Sequence, residues 1–333
     1  MRTFFFIGLR NLNKNDRGNV GLKALLDVLN LRKSTVTLNS ERIAFNICPC
    51  VNAAGRLGRE TLKEAVRLLM IKPSATYDQK FKYATALTAI NEKRRKIEHD
   101  LLDYIDQNYT ILPGEALAIC GEDEVFHSGV IGIVAARLME SIHAPVAVIK
   151  QVKDGGHGSM RACEGYNAVE ILKQLDGYLD HFGGHAQAAG FTIKEGFCEA
   201  FCEAFPKACK ATQEEATQLP CIVDVDLSMV PITVEMCSAL SALEPYGNGN
   251  PRPLFVKRFE LLSKRIVGVD GNHLSLSLRP DDGGEPLKAV WFGGVIHGKH
   301  LEIGMAFRAI FSLDLDTYRP EKPCPSVRIV QCI

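Results

Sequence analysis

The eight residues Gly183-Gly184-His185-Ala186-Gln187-Ala188-Ala189-Gly190 constrain this chain more than any other stretch. All but two are glycine or alanine, so backbone or a ligand can come close, and glycine alone reaches positive φ freely. The spacing predicts a tight turn, with the apolar run 191–193 following as a strand. A histidine fixed in such a turn can donate a hydrogen bond to a phosphate oxygen. It can equally be a structural histidine.

Around this string the chain divides by texture. At 333 residues it has the length of two or three domains. Residues 1–110 read as helical. The segment 60–70 carries Leu62, Val66 and Leu69 at helical spacing, and 77–108 has neither glycine nor proline. That long stretch places Phe81, Ala84, Leu87, Ile97, Leu101 and Ile105 near helical spacing. Its polar block Asn91-Glu92-Lys93-Arg94-Arg95-Lys96 reads as an exposed basic turn, and Pro113-Gly114 ends the helix. From 115 to about 197, strands at 116–120, 145–150 and 158–162 alternate with helices at 130–142 and 167–175. That order implies a small α/β domain.

The polar segment 213–220 reads as a linker. Beyond it Leu274, Leu276 and Leu278 alternate with serines, and further strands are expected at 288–292, 306–313 and 327–330. A small all-β barrel of about 110 residues fits this pattern. The fold class is therefore multidomain, α/β plus all-β. The expected boundaries are 1–110 for a helical connector, 111–212 for the α/β domain and 213–333 for the barrel.

Charge and cysteines narrow the setting. Net charge is zero, but residues 1–110 hold 19 Lys and Arg against 11 Asp and Glu, and the remainder is correspondingly acidic. An electropositive half suits a polyanion, although a solvated helical surface gives the same count. No apolar run is long enough to span a membrane. The apolar start, Phe4-Phe5-Phe6-Ile7, lacks a small-residue cleavage site and reads as a strand or helix. Eleven cysteines, scattered among apolar residues, fit reduced core thiols in a cytoplasm. Cys48-Pro49-Cys50 and Cys198, Cys202 and Cys209 lack zinc-site spacing.

Three further elements suit anions, making four with GGHAQAAG. Asn52-Ala53-Ala54-Gly55-Arg56-Leu57-Gly58 reads as a second small-residue turn ending in an arginine, whose planar fork matches phosphate oxygens. His127-Ser128-Gly129 precedes an expected helix start, where unpaired N–H groups favour an anion; Ser128 reads there as the N-cap. Ser159 and Arg161 fall on one face of a strand. His157 stands beside them and reads as structural. No activated nucleophile appears in any of the four. Asp224/Asp226 and Asp314/Asp316 lack histidine partners for a metal role.

Taken in order, NAAGRLG, the helix carrying NEKRRKIE, HSGVIGIVAARL, the Ser-x-Arg strand, GGHAQAAG and LEPYGNGNPRPLF closely resemble the RecJ family of single-strand-specific 5′→3′ DNA exonucleases. The resemblance covers nearly the whole chain. It implies a DHH-associated α/β domain and an oligonucleotide-binding barrel, joined by the helical connector to the tail of a DHH domain. It also implies that Arg56, Ser159, Arg161 and His185 bind the 5′ end and scissile region, with His185 the catalytic candidate. Gly183 and Gly184 would give backbone access.

In the family, manganese or magnesium held by aspartates and an Asp-His-His motif activates water. Those strings are missing here, and Cys50 stands where the family usually has arginine. The resemblance therefore implies the DNA-gripping and strand-guiding part of such an exonuclease, inactive alone. Its partners would be single-stranded DNA and a separately encoded DHH domain, with no membrane. The alternatives are a non-catalytic single-stranded nucleic-acid-binding protein and an oligonucleotide phosphodiesterase.

Overall fold

The computed structural model describes residues 2–14, 18–32, 38–122, 125–213, 222–247, 249–268, 271–316 and 323–333. Most of the expected linker at 213–220 lies outside them. The N-terminal third is helical as expected: α1 (Arg2–Asn13), α2 (Val20–Val28), α3 (Ser40–Arg42), α4 (Cys48–Arg56), α5 (Arg59–Leu69) and α6 (Tyr77–Asn108). The chain forms two compact units. One gathers residues 19–29 and 46–219, the other 1–18, 30–45 and 220–333.

In the first unit α6 starts on a capping box, with Thr76 and Gln79 each satisfying the other's backbone N–H. Its inward face runs Ala84, Leu87, Asn91, Glu98, Leu101 and Ile105, at spacings of three, four and seven. One sequence expectation needs correction here. The polar block is not wholly exposed, because Asn91 is buried and Arg94 turns inward to bond both Asn91 and Glu98. On α5 the buried residues are Ala65 and Leu68, while Leu62, Val66 and Leu69 are exposed. The packed stripe of α5 thus runs through Ala65 and Leu68 rather than through Leu62, Val66 and Leu69.

The rest of this unit is a mixed sheet of β1 (Leu117–Gly121), β2 (Val146–Val152), β3 (Gly155–Arg161), β4 (Leu179–His185) and β5 (Ala188–Ile193), in the order β1-β2-β3-β5-β4. Only β1 and β2 pair in parallel, joined by α7 (Ile131–Ile142). One face packs Val146, Val148 and Ile119 against α7 and the end of α6. The other packs Met160, Ala189 and Phe191 against α8 (Ala168–Gln174) and α9 (Cys198–Ala211). Within the expected domain 111–212, α9 has no counterpart among the expected elements. Its apolar residues Phe201, Phe205 and Cys209 recur every four positions, but Pro206 lies inside the helix and masks the pattern.

The second unit is the barrel. β7 (Phe255–Val267), β8 (His273–Pro280), β9 (Leu287–Trp291), β11 (Cys324–Cys332) and β10 (Ala306–Asp316) pair in that order, and β10 closes back onto β7. The short strand β6 (Val225–Asp226) adds to β7, with α10 (Val234–Leu240) and α11 (Gly294–His297) alongside. Phe255, Phe259, Leu276, Trp291 and Phe311 fill the interior. Closure leaves the barrel strands without open edges. Lys257 is fully buried on β7. Its ammonium donates to the carbonyls of Leu227 and Val230 and lies 3.0 Å from Asp282, so its charge is met on every side the fold presents.

Candidate functional site

GGHAQAAG is a hairpin rather than a glycine turn around histidine. Gly183, Gly184 and His185 are the end of β4, only Ala186 and Gln187 turn, and Ala188 opens β5. The carbonyls of Ala186 and Gln187 accept hydrogen bonds from Ala168 and Ala162, which fixes the hairpin tip. The β-register then decides what lies beside what. Arg161 on β3 pairs with Ala188 on β5, and Ala188 with His185 on β4. Ser159 pairs with Gly190, and Gly190 with Gly183.

Directly opposed residues in a sheet point to the same side, and alternate residues along a strand do too. Ser159, Arg161 and His185 therefore share one face, with Gly183 and Gly190 as a floor without side chains. It is the α7 face. A Cβ added to Gly132, in the first turn of α7, would lie 2.8 Å from the Ser159 hydroxyl and 2.9 Å from Arg161 Nη2. Glycine at that position lets the helix start come down onto the Ser-Arg pair.

Within the pair Arg161 Nη1 donates to Ser159 Oγ at 2.9 Å and to the Met160 carbonyl at 2.8 Å. Burial, and then repulsion from Arg56, push the Arg161 guanidinium below the ordinary arginine range. Arg56 is not in a turn, as the sequence reading had it. It is the last residue of α4, and the positive-φ residue Gly58 separates that helix from α5. Its Nη1 donates to the Gly129 carbonyl at 3.2 Å. Among the described residues neither Arg56 nor Arg161 pairs with a carboxylate. Two guanidiniums close enough to repel, neither paired with a carboxylate among the described residues, make a site that a phosphate would neutralise.

The turn before α7 supplies the remaining wall. Ser128 is exposed and does not cap the helix; the N-cap is Val130, without a side-chain bond. His127 bonds within the preceding turn, its Nδ1 accepting from the Gly129 N–H at 3.1 Å. Burial, then Lys150 and Lys93, hold its imidazole below the usual histidine range. With Nδ1 accepting, the neutral imidazole carries its hydrogen on Nε2. His185 is exposed and has no hydrogen-bond partner among the described residues. His157 is exposed on the same face and bonds the Thr192 hydroxyl.

A barrel residue that the sequence reading passed over also stands out. Phe292 follows β9 and is 56% exposed, with the His273 ring edge-on at 5.2 Å and the Arg328 guanidinium 5.4 Å from its centroid. Phe255, Phe259 and Trp291 are buried and belong to the core. The only sequence signal for Phe292 was its place after the buried Trp291, where alternation turns a side chain outward.

Residues 114–215 match the DHHA1 domain and residues 223–324 the RecJ OB domain. The single-stranded-DNA-specific exonuclease RecJ of Escherichia coli is 32% identical over 285 residues, which are 82% of this chain and 47% of that protein. RecJ of Bacillus subtilis is 28% identical over 308 residues, 89% of this chain and 38% of that one. The crystal structure of RecJ in complex with Mg2+ from Thermus thermophilus superposes with a TM-score of 0.71 at 26% identity, covering 98% of this chain and 47% of that one. The chain thus spans less than half the length of these relatives.

Proposed function

The chain belongs to the RecJ family, and on that premise we propose that its DHHA1 domain grips the 5′-phosphorylated end of single-stranded DNA while its OB domain guides the strand. The observation that carries this reading is the convergence of Arg56 and Arg161 at the start of α7, with no carboxylate partner among the described residues. In this proposal Arg161 forks onto the terminal phosphate while Ser159 holds its guanidinium. Arg56 takes the oxygens facing α4. His185 donates to the scissile region from the far side of the floor. Gly183 keeps that floor open. On the barrel, Phe292 offers a ring on which a base stacks, and Arg328 adds a cation beside it.

The family's chemistry is a metal-dependent phosphodiester hydrolysis, and RecJ neighbours were solved with Mg2+ or Mn2+. The residues present here do not fit such a centre. No group of three or more His, Cys, Asp or Glu side chains able to hold a metal ion occurs among the described residues. His157 and His181 meet only through Thr192, and Asp314 and Asp316 are engaged by Arg252 and Lys288. We propose that the chain binds and orients the strand, and that hydrolysis requires a metal-binding DHH domain acting with it.

The test is to mix the purified chain with labelled single strands bearing a 5′-phosphate or a 5′-hydroxyl, with and without manganese. Tighter binding of the phosphorylated strand, without mononucleotide release, is the expected result. Equal affinity for both strands would remove the end-gripping role. Release of mononucleotides, abolished by His185→Ala, would show that the chain hydrolyses on its own.

A further inference from the structure

One row of the open face lies outside the pocket just described. Along the sheet, next to Ser159-Gly190-Gly183, the register aligns Lys150 on β2, His157 on β3, Thr192 on β5 and His181 on β4. The Thr192 hydroxyl sits 3.3 Å from His157 Nδ1 and 3.2 Å from His181 Nε2. A hydroxyl has one hydrogen to give, so it can donate to only one of the two rings. That ring, accepting on one nitrogen, carries its own hydrogen on the nitrogen that remains. The hydroxyl thus fixes the orientation of both imidazoles. Their other nitrogens, His157 Nε2 and His181 Nδ1, have no hydrogen-bond partner among the described residues, and both side chains are exposed.

Spacing gives this row its meaning. It lies two residues along the strands from the Ser159 row, about 6.8 Å away at the usual rise of an antiparallel strand. That step is comparable to the separation of successive phosphates in an extended single strand. Gly190 and Gly183 put no side chain between the two rows, and on β3, β4 and β5 none of the residues in these rows is acidic. A backbone whose end phosphate sits at Ser159 and Arg161 therefore has a clear path to the two imidazoles.

We propose that the His157–Thr192–His181 row is a second phosphate subsite, holding the phosphodiester that follows the terminal phosphate of a bound single strand. This rests on the end-pocket reading above, and its test separates the two. The ligands are thymidine 5′-monophosphate, the 5′-phosphorylated dinucleotide pTpT and inorganic phosphate, titrated by calorimetry into the whole chain. The double variant His157→Ala/His181→Ala is expected to bind pTpT about tenfold more weakly, the loss of a charge-assisted hydrogen bond. It should bind the mononucleotide and inorganic phosphate like the parent. Arg161→Ala is expected to weaken both nucleotides.

Because both histidines are exposed, the double variant should unfold at the parent's temperature, and His157→Gln/His181→Gln serves as a second pair that keeps polar side chains there. If pTpT binds the double variant as it binds the parent while Arg161→Ala is impaired, the subsite is wrong and the pocket stands. If the double variant loses mononucleotide and dinucleotide equally, the row supports the pocket rather than a second phosphate. If Arg161→Ala changes neither nucleotide, pocket and subsite fall together.

Discussion

Arg161 and His185 flank Ala188 in one cross-strand row. Two strand spacings separate their backbones, about 10 Å at the usual distance between neighbouring strands. A cationic side chain and an imidazole rise from either end of that span. The methyl of Ala188 is the largest group between them, and the next row offers only Gly190 and Gly183. A sheet surface is rarely so empty. This one leaves room for a group the size of a phosphate, with donors on both sides.

Arg161→Ala should therefore weaken binding of a 5′-phosphorylated strand far more than of a 5′-hydroxyl strand. Hydrogen bonds to a charged group are worth about 1.5–3 kcal/mol, so the expected loss is about ten- to a hundredfold. His185→Ala should act in the same direction with a smaller effect, because its imidazole is solvent-exposed. Fluorescence anisotropy with matched strands at one salt concentration reads both. Equal losses on the two strands would mean that Arg161 only neutralises backbone charge.

The two glycines of the motif should separate in their behaviour. A Cβ on Gly184 would lie 2.3 Å from the Ala188 carbonyl oxygen, and the residue has a φ of +157°, so Gly184→Ala should destabilise the hairpin and lower the melting temperature. A Cβ on Gly183 meets nothing within 4 Å. Gly183→Val should keep the fold and lose affinity, because its side chain would fill the floor. Thermal unfolding together with strand binding distinguishes them. A Gly183→Val protein that binds normally would show that the floor is not where the strand lies.

These contrasts mark how far the sequence could be read. The fold was legible wherever one period dominated. The proline- and glycine-free stretch became α6 over the residues expected, and the Leu274-Leu276-Leu278 alternation became a barrel strand. The composition of GGHAQAAG showed that something small had to fit there. It could not show that Gly184 is demanded by the hairpin's own backbone and Gly183 is not, because that depends on the partner strand. Likewise Asn52 to Arg56 looked like a turn on its small residues. Ala53 and Ala54 are instead the buried face of α4, where small side chains let helices approach. His157 and His181 lie far apart in sequence and meet only through Thr192, a relationship that belongs to register alone.

Glu98 ties α6 to α7 from a buried position. It pairs with Arg94 on its own helix, and Arg137 Nε lies 2.7 Å from its Oε1, which makes no aligned hydrogen bond. Removing one partner from a buried ion pair costs about 3–5 kcal/mol, since the other charge stays behind. Glu98→Ala should approach that range in chemical denaturation, discounted because Arg137 is half exposed and can turn to water. Glu98→Gln should cost less, since an amide still accepts from Arg94. A loss under 1 kcal/mol for Glu98→Ala would show that water already screens the pair.

In the barrel unit Glu41 should make stability depend on acid. Burial raises its carboxyl, but Arg328 and Arg252, at 2.6 and 2.8 Å, outweigh that and hold it below the ordinary glutamate value of about 4.5. A carboxylate whose folded form binds protons less readily than its unfolded form adds stability above that ordinary value. The contribution is lost as pH falls through the lower folded one. Melting temperature should therefore fall as pH drops below about 4.5, more steeply in the parent than in Glu41→Gln, which cannot titrate there. Asp226 and Asp282 are also held low, by hydrogen bonds from Ser228 and, for Asp282, by Lys257 despite its burial, so Glu41→Gln should flatten the slope without abolishing it. Parallel slopes for the two proteins between pH 5 and about pH 3 would show that the arginines do not bind Glu41 more tightly in the folded chain than in the unfolded one.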